Sequence, residues 1–279
     1  MIIAISMVKN EADIITYTMS HLFANGIDEI IIADNNSTDG TGDLIRGMAN
    51  QLNLNVTVIP EPMTAYYQSK VMTNLYRMAI DRGADWVIPF DADELVVARF
   101  STISDALRSF DKTSAIEVKL YDHRPTSADT SNDLADKNPF RRWKFRDRNP
   151  QRLGKVIIPN LGPSVVIWQG NHGISVEDRV QQAIKTDLIE IRHFKFYSGF
   201  RRGAESAIGR LRGYEETDFP EYIGAHWRTY GRIAREHGVE VLEKKLEKDF
   251  FVRFDDKKEI NLNTGQPADM VYDPAPWAG

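Results

Sequence analysis

Trp86-Val-Ile-Pro-Phe-Asp-Ala-Asp-Glu-Leu95 is an apolar run that stops at three carboxylates, Asp91, Asp93 and Glu94. A short, continuous apolar run of this kind reads as a strand covered on both faces. The carboxyl ends of such strands are where open α/β sheets bind ligands. Asp91 and Asp93 straddle Ala92, so they point the same way if the backbone stays extended and can both approach one cation if it turns. Mg²⁺ and Mn²⁺ are commonly held by one or two carboxylates plus substrate phosphates, so the stretch is an address for a divalent cation and a phosphate-bearing substrate. An Asp-rich turn with no ligand is the plainer account of the same residues.

Outward from this stretch, the first 95 residues alternate short apolar runs with helical patterns. Strands are predicted over 2–7, 29–33, 55–59 and 86–90, and helices over 12–25, 41–50 and 69–82. That alternation argues for βαβ units and a mostly parallel sheet. After Leu95 the grammar changes: a short helix over 104–110, a strand over 115–120, and then a long polar connection over 121–138, of the kind that is usually functional or mobile. Short strands follow between 140 and 191, among them 155–158, 165–168 and 188–192. Helical patterns return over 200–214 and 220–249, broken near Gly238, and the tail with Pro267, Pro274 and Pro276 reads as extended.

The bulk numbers set limits on function. With 279 residues, 42% hydrophobic and 27% charged, the chain can bury a full core and is not expected to be disordered. A net charge of -5 argues against a general nucleic-acid binder. The absence of cysteine removes disulfides, thiolate metal sites and a cysteine nucleophile, and fits a reducing, cytoplasmic setting. No run approaches the roughly 18 apolar residues of a membrane span, and Met1 leads straight into Ile2-Ile3-Ala4-Ile5 without a basic region or cleavage site. Peripheral attachment to a membrane stays open, as does the oligomeric state.

Two earlier strand ends carry further candidates. Met7-Val-Lys-Asn-Glu11 puts backbone N–H groups, Asn10 and Glu11 at the same sheet edge, where a nucleoside's polar edge or a phosphate can sit. The bland alternative is that Asn10 caps a helix. Asp34-Asn-Asn-Ser-Thr-Asp-Gly-Thr41 is a polar loop before a helix; capping by Asp39 or Thr41 explains part of it, but not Asp34. Lys70, Asn74 and Arg77 share one face of the predicted third helix, and Lys70 in its first turn can meet a phosphate if that face is not simply solvated.

Taken together, Val8-Lys-Asn-Glu11, Asp34-Asn-Asn-Ser-Thr-Asp-Gly-Thr41, Asn74 with Ala79, and the DXD motif in Phe90-Asp-Ala-Asp-Glu-Leu95 resemble a nucleotide-sugar glycosyltransferase of the GT-A fold, close to glycosyltransferase family 2. The resemblance covers about the first third of the chain. It implies a Rossmann-like α/β domain over 1–198, with a donor-binding half (1–95) and an acceptor half (96–198), followed by a helical extension (199–260) and a tail (261–279). It further implies that Glu11, Asp34 and Asp39 face the nucleobase and ribose, that Lys70 lies near the diphosphate, that Asp91 serves ribose or metal, and that Asp93 binds Mn²⁺ or Mg²⁺. The implied partners are a nucleoside-diphosphate sugar and a glycan, lipid-linked or other hydroxyl acceptor, in polysaccharide or glycan biosynthesis.

An inverting transfer also needs a base, which family members often supply as a carboxylate, together with a late histidine that can reach the metal. The second half resembles a subgroup with Lys155-Val-Ile-Ile-Pro159, Gly170-Asn-His-Gly173 and Ile191-Arg-His-Phe-Lys-Phe-Tyr-Ser198. His172, in a turn after a strand, is the better metal candidate, and His193 ends another strand. Asp122, Glu177 and Asp178 are candidate bases, each explicable as a solvated carboxylate or a cap. Arg141-Arg-Trp-Lys144 and Arg201-Arg202 could meet phosphate or an anionic acceptor, though solvated basic faces with Trp143 packed inward are the plainer account. Two other functions compete: a nucleotidyltransferase, which would normally show a glycine-rich loop after the first strand where Met7 to Ala12 has none, and a non-catalytic nucleotide-sugar binding module.

Overall fold

Ile2–Val8 (β1) is buried along its entire length, as a run of Ile, Ala, Met and Val must be when both faces of a strand are covered. The computed structural model to which it belongs describes residues 1–63, 65–253, 260–261, 266–267 and 270–274. After β1 come α1 (Ile15–Ala24), β2 (Glu29–Asp34), α2 (Thr41–Leu52), β3 (Val56–Pro60), α3 (Gln68–Asp81) and β4 (Trp86–Pro89). β2 pairs in parallel with β1, Ile31 opposite Ile5, and β3 in parallel with β2. β4 returns to the other edge of β1, Val87 opposite Ile3. The order β3-β2-β1-β4 therefore reverses at β1. At such a switch point the connections leave a crevice beyond the carboxyl ends of the strands, here beyond Val8 and Pro89.

Past β4 the pairing becomes antiparallel. The chain continues through β5 (Glu94–Ala98), α4 (Ile103–Leu107), β6 (Ile116–Arg124), α5 (Ser131–Leu134), β7 (Phe145–Asp147) and β8 (Lys155–Pro159). β8 runs against β4 with Ile158 opposite Val87, so its first residue, Lys155, comes to the carboxyl end of β4. The start of β6 pairs with β8, Ile116 opposite Ile157. β9 (Val165–Ile167), β10 (Ile174–Val176) and β11 (Arg179–Gln181) form a three-stranded antiparallel sheet, and β12 (Ile184–His193) pairs with β5 and β6.

Met1–Met63, Tyr67–Leu120 and Gln151–Arg192 make up one compact unit; Tyr121–Pro150 and the described residues from His193 onward, with 65–66, make up the other. In the second unit α6 (Phe200–Glu215), α7 (Ala225–His237) and α8 (Val239–Phe250) bury Ala204, Ala207, Ala234, Leu242 and Leu246. Gly238, at φ 97, separates α7 from α8, in the place where the helical pattern of the sequence breaks. After the short β13 (Ile260–Asn261) and β14 (Gln266–Pro267), β15 (Met270–Tyr272) pairs with β7, which pairs with the last two residues of β6.

The expected α/β architecture with C-terminal helices is the one observed. Its mostly parallel character belongs to β1–β4. The rest of the predicted tail, 262–265, 268–269 and 275–279, and residues 254–259 of the predicted extension, lie outside the described residues. The polar connection expected over 121–138 is shorter than it reads. Tyr121, Asp122 and His123 are buried in β6, where their consecutive burial erases the two-residue alternation. Thr130 then opens α5 through a capping box with Asp133. Among the described residues no helix is long and apolar enough to cross a membrane.

Candidate functional site

Asp91 follows β4 by one residue, after Phe90, whose N–H bonds the carbonyl of Ile5 in β1. Its carboxylate is held from two sides. Gln68 Nε2, in the first residue of α3, donates to Oδ1 at 2.7 Å, and Lys155 Nζ donates to Oδ2 at 2.7 Å. The Asp91 N–H reaches Glu94 Oε2 at 3.3 Å, while the Glu94 N–H returns to the Asp91 carbonyl at 3.1 Å. The Asp-Ala-Asp-Glu segment is therefore a closed turn, with Asp93 half-buried within it.

What sequence reasoning missed here is the pairing of Lys155 with Glu94 and Asp91. Lys155 and Glu94 are nearly inaccessible, with 4% and 1% of their side chains exposed, and their charged atoms are 2.9 Å apart. Burial works against the Lys155 ammonium, but the carboxylates of Asp91 and Glu94 outweigh it and hold the lysine charged, above its ordinary range. One signal was available: a lysine opening the apolar run Lys155-Val-Ile-Ile-Pro159, since a lysine in a covered strand is almost always paired. Gln68 gave no signal, because a glutamine at a helix start is ordinary.

Gln68 also accepts from the Gly170 N–H through Oε1 at 3.1 Å. One side chain thus ties Asp91 to the turn that carries His172. Ser69 strengthens the link, its N–H on Gln169 Oε1 and its hydroxyl on the Ile167 carbonyl. His172 Nδ1 lies 2.7 Å from the Gly154 carbonyl, which can only accept, so Nδ1 carries the proton and the lone pair of the neutral ring is on Nε2. Gly170 sits at φ 77, and a Cβ there would come within 2.6 Å of His172 Cδ2 and Nε2. Asn171, between them, is fully buried at φ 57, and neither atom of its side-chain amide has a hydrogen-bond partner.

The other predicted residues of this unit fall into two groups. Asn10, Glu11, Asp34 and Asp39 come together where the loops after β1 and β2 meet. Asn10 Oδ1 accepts from the Thr38 N–H at 2.8 Å, the Glu11 N–H reaches Thr41 Oγ1 at 2.8 Å, and the Ala12 N–H reaches Asp39 Oδ2 at 3.1 Å. Asp34 Oδ1 accepts from the Ser37 N–H inside its own loop at 3.0 Å. Partial burial of Asp39 works against its charge, but hydrogen bonds from Thr41 and Ala12 prevail and hold it below the usual carboxylate range. Asn10 and Asp39 thus brace the loop pair. Lys70, Asn74 and Arg77 occupy the exposed face of α3, where Arg77 Nε donates to the Pro163 carbonyl at 3.0 Å. Glu177 and Asp178, at φ 51 and 61, are the exposed two-residue turn between β10 and β11, the geometry of a tight hairpin.

In the second unit two separate candidates prove to be one group. His193, the last residue of β12, donates from Nδ1 to Asp122 Oδ1 at 2.8 Å, and Lys195 Nζ lies 3.6 Å from Oδ2. Only 11% of the His193 and 9% of the Asp122 side chain is exposed. A carboxylate on Nδ1–H fixes the tautomer and stabilises the imidazolium, the arrangement that makes a histidine a proton acceptor. The basic run Arg141 to Lys144 is structural: Trp143 is 4% exposed, Arg142 Nε donates to the Asp136 carbonyl, and Lys144 pairs with Asp133.

In donor chemistry alone, Asp93 and His172 suit a divalent cation of the Mg²⁺ or Mn²⁺ type. Among the described residues no group of three or more His, Asp or Glu side chains is placed to hold a metal ion. Such ions need fewer, since one or two carboxylates plus substrate phosphates complete the shell. Asp93 and the Nε2 lone pair of His172 supply donors of the right chemistry, and the space over Gly170 that a Cβ would fill is taken by the His172 ring.

The sequence profile of the family described as "Glycosyl transferase family 2" matches residues 4–159, more than half of the chain. Among solved structures, Staphylococcus aureus TarS 1-349 in complex with UDP is 13% identical, covering 88% of this chain and 76% of that one with a TM-score of 0.43. The mannosyltransferase PcManGT from Pyrobaculum calidifontis, in complex with GDP-Man and Mn²⁺, is 16% identical over 88% of this chain and 74% of that one, TM-score 0.42. Glucosyl-3-phosphoglycerate synthase from Mycobacterium tuberculosis, with Mn²⁺, UDP and phosphoglyceric acid, is 16% identical over 43% of each chain, TM-score 0.31. No curated protein matches the sequence.

Proposed function

The chain belongs to glycosyl transferase family 2 and is a glycosyltransferase; on that premise we propose that it moves a sugar from a nucleoside diphosphate to a hydroxyl of a glycan, lipid-linked or other acceptor, with the help of Mn²⁺ or Mg²⁺ and with inversion at the anomeric carbon. What supports this most is the closed Asp91–Glu94 turn at the switch point of the sheet, its first carboxylate oriented by Gln68 and Lys155.

In this reading the loops after β1 and β2, braced by Asn10 and Asp39, receive the nucleoside, with Glu11 and Asp34 toward base and ribose and Lys70 toward the diphosphate. Asp91 accepts from a ribose hydroxyl, and Asp93 with His172 would hold the cation. When bound, that ion offsets the charge developing on the leaving diphosphate. Asp122 keeps the proton of His193 on Nδ1, so Nε2 takes the proton of the acceptor hydroxyl. As it does so, the hydroxyl oxygen bonds to the anomeric carbon and the bond from that carbon to the diphosphate oxygen breaks. Asp178 is the weaker base because nothing orients it in its exposed turn.

Incubation with a panel of nucleoside-diphosphate sugars, Mn²⁺ and candidate acceptors tests the reading through nucleoside diphosphate release and the anomeric configuration of the product. Asp93→Asn is expected to lower turnover by about 100-fold or more with the fold intact, on the scale of lost metal support. Full activity in Asp93→Asn removes Asp93 from the site, and release of pyrophosphate instead identifies a nucleotidyl transfer.

A further inference from the structure

In the second unit α6 and α7 approach closely because Gly231 has no side chain: a Cβ there would strike Leu211 and the Ala207 carbonyl of α6. One helical turn before Gly231, Trp227 lies against Arg210 of α6. The Arg210 guanidinium carbon is 4.2 Å from the Trp227 ring centroid and 4.9 Å from that of Tyr66. The Tyr66 side of this bed is fastened, since the buried Tyr214 donates its hydroxyl to the Tyr66 carbonyl at 3.1 Å. Gly224 in turn leaves the space that the Tyr214 ring fills.

Arg210 has no acid to answer it. Its helical neighbours at three and four residues are Ser206, Ala207, Gly213 and Tyr214, whereas Arg201 in the same helix pairs with Glu205 four residues on. Among the described residues no N–H of Arg210 has a hydrogen-bond acceptor or a carboxylate. The two rings hold the group in place and attract its charge, but they supply no oxygen. A guanidinium fork matches the paired oxygens of a carboxylate or phosphate. Desolvation, and then the charges of Arg210 and Lys195, push the imidazole of His226 down to about 4, so this neighbour of Trp227 is neutral at pH 7. Lys195 is also the cation 3.6 Å from Asp122 Oδ2, so Arg210 and the His193–Asp122 pair belong to one neighbourhood of the second unit. We propose that Arg210 binds an oxyanion, a phosphate or carboxylate group, carried by the acceptor whose hydroxyl His193 deprotonates. This rests on the transfer reading above and adds a chemical class to its acceptor.

The test is equilibrium dialysis of labelled inorganic phosphate against the full chain, which needs no turnover. Arg212→Gln is the control: it removes the same charge from an exposed position of α6, two residues away and so on another face. Melting curves first establish that each variant is folded. Arg210→Gln is expected to weaken phosphate binding by about tenfold or more, the scale of a hydrogen bond to a charged group, and Arg212→Gln by less than about twofold. Trp227→Leu keeps the charge and removes part of its bed, so its effect should fall between the two. Saturating UDP or GDP should leave the phosphate bound. The inference is overturned if wild type binds no phosphate, or if the two arginine variants weaken it equally. It is also overturned if UDP or GDP displaces the phosphate, because the oxyanion then belongs to the donor. The transfer reading fails on a different measurement, nucleoside diphosphate release, so the two failures are distinct.

Discussion

His193 at the end of β12 and Asp122 in β6 share a 2.8 Å hydrogen bond from Nδ1 to Oδ1, although 71 residues separate them. The pair exists because β12 and β6 are sheet neighbours. Asp122→Asn presents an amide to Nδ1 and frees the ring to take the other tautomer, with its proton on Nε2. We expect kcat to fall by about 10²–10⁴-fold in this variant and in His193→Gln, with the donor KM little changed. Steady-state kinetics with saturating donor is the measurement. A kcat within about threefold of wild type in both variants removes the pair from the chemistry.

Gly170→Ala should separate the site from the fold. The new methyl would come within 2.6 Å of the His172 ring at a backbone φ of 77, costing about 1–2 kcal/mol in stability and displacing the imidazole. Metal affinity in the presence of nucleoside diphosphate should drop by about tenfold or more. Gly47, inside α2 with nothing within 4 Å of its added Cβ, is the control. Gly47→Ala should raise stability by up to about 1 kcal/mol and leave binding unchanged. Equal behaviour of the two variants in denaturant melts and Mn²⁺ titrations would contradict this account of Gly170.

The legible part of the molecule is the part written in local pattern. β1 to β4 are apolar runs bounded by polar loops, and each predicted boundary lies within three residues of the observed one. The donor-side loops were legible for the same reason, since Asp34 to Thr41 and Asp91 to Glu94 end strands. What stayed hidden was pairing across the sequence. Lys155 reads as the polar start of a strand until the antiparallel register of β8 on β4 brings it to Asp91. Asp122 and His193 were each visible, but not as partners. Lys70, Asn74 and Arg77 do share a helix face, and periodicity could not say that this face is the exposed one. β5 went unseen because it begins at Glu94, the last of the carboxylates that seemed to end the run.

Asp129 sets a pH dependence of stability independent of the site. Burial pushes its carboxyl up to about 6, against a bond from the Thr126 N–H to Oδ2 and with help from the charge of Asp133, and Oδ1 is buried without a hydrogen bond. A carboxyl raised in the folded state binds its proton more tightly there than in the unfolded chain. It therefore contributes stability below the unfolded value near 4, and that contribution is lost as pH rises through about 6. Allowing for its partial exposure, the loss is on the order of 1 kcal/mol. Asp129→Asn keeps an acceptor for Thr126 and carries no charge. It should be more stable than wild type at pH 7, equal to it near pH 4, and flatter between. Urea melts at several pH values measure this, and parallel curves for the two proteins would refute it.

Gln68 bonds both Asp91 and the Gly170 turn, at 2.7 and 3.1 Å. Gln68→Leu keeps its bulk and removes both bonds, leaving the Gly170 N–H without its acceptor and Asp91 Oδ1 without its donor. Asp91 is partly exposed and water can replace one bond, so the stability cost should be near 1–2 kcal/mol, the lower end for hydrogen bonds to charged groups. The functional cost should be larger and appear in donor KM, because the turn carrying Asp93 and the turn carrying His172 lose their shared brace. Since Gly170→Ala disturbs the same brace, the two substitutions should not add: a double-mutant cycle on donor affinity is expected to show an interaction above about 0.5 kcal/mol, where independent sites add. Additivity would mean that the two turns are held separately and that Gln68 merely fills space between them.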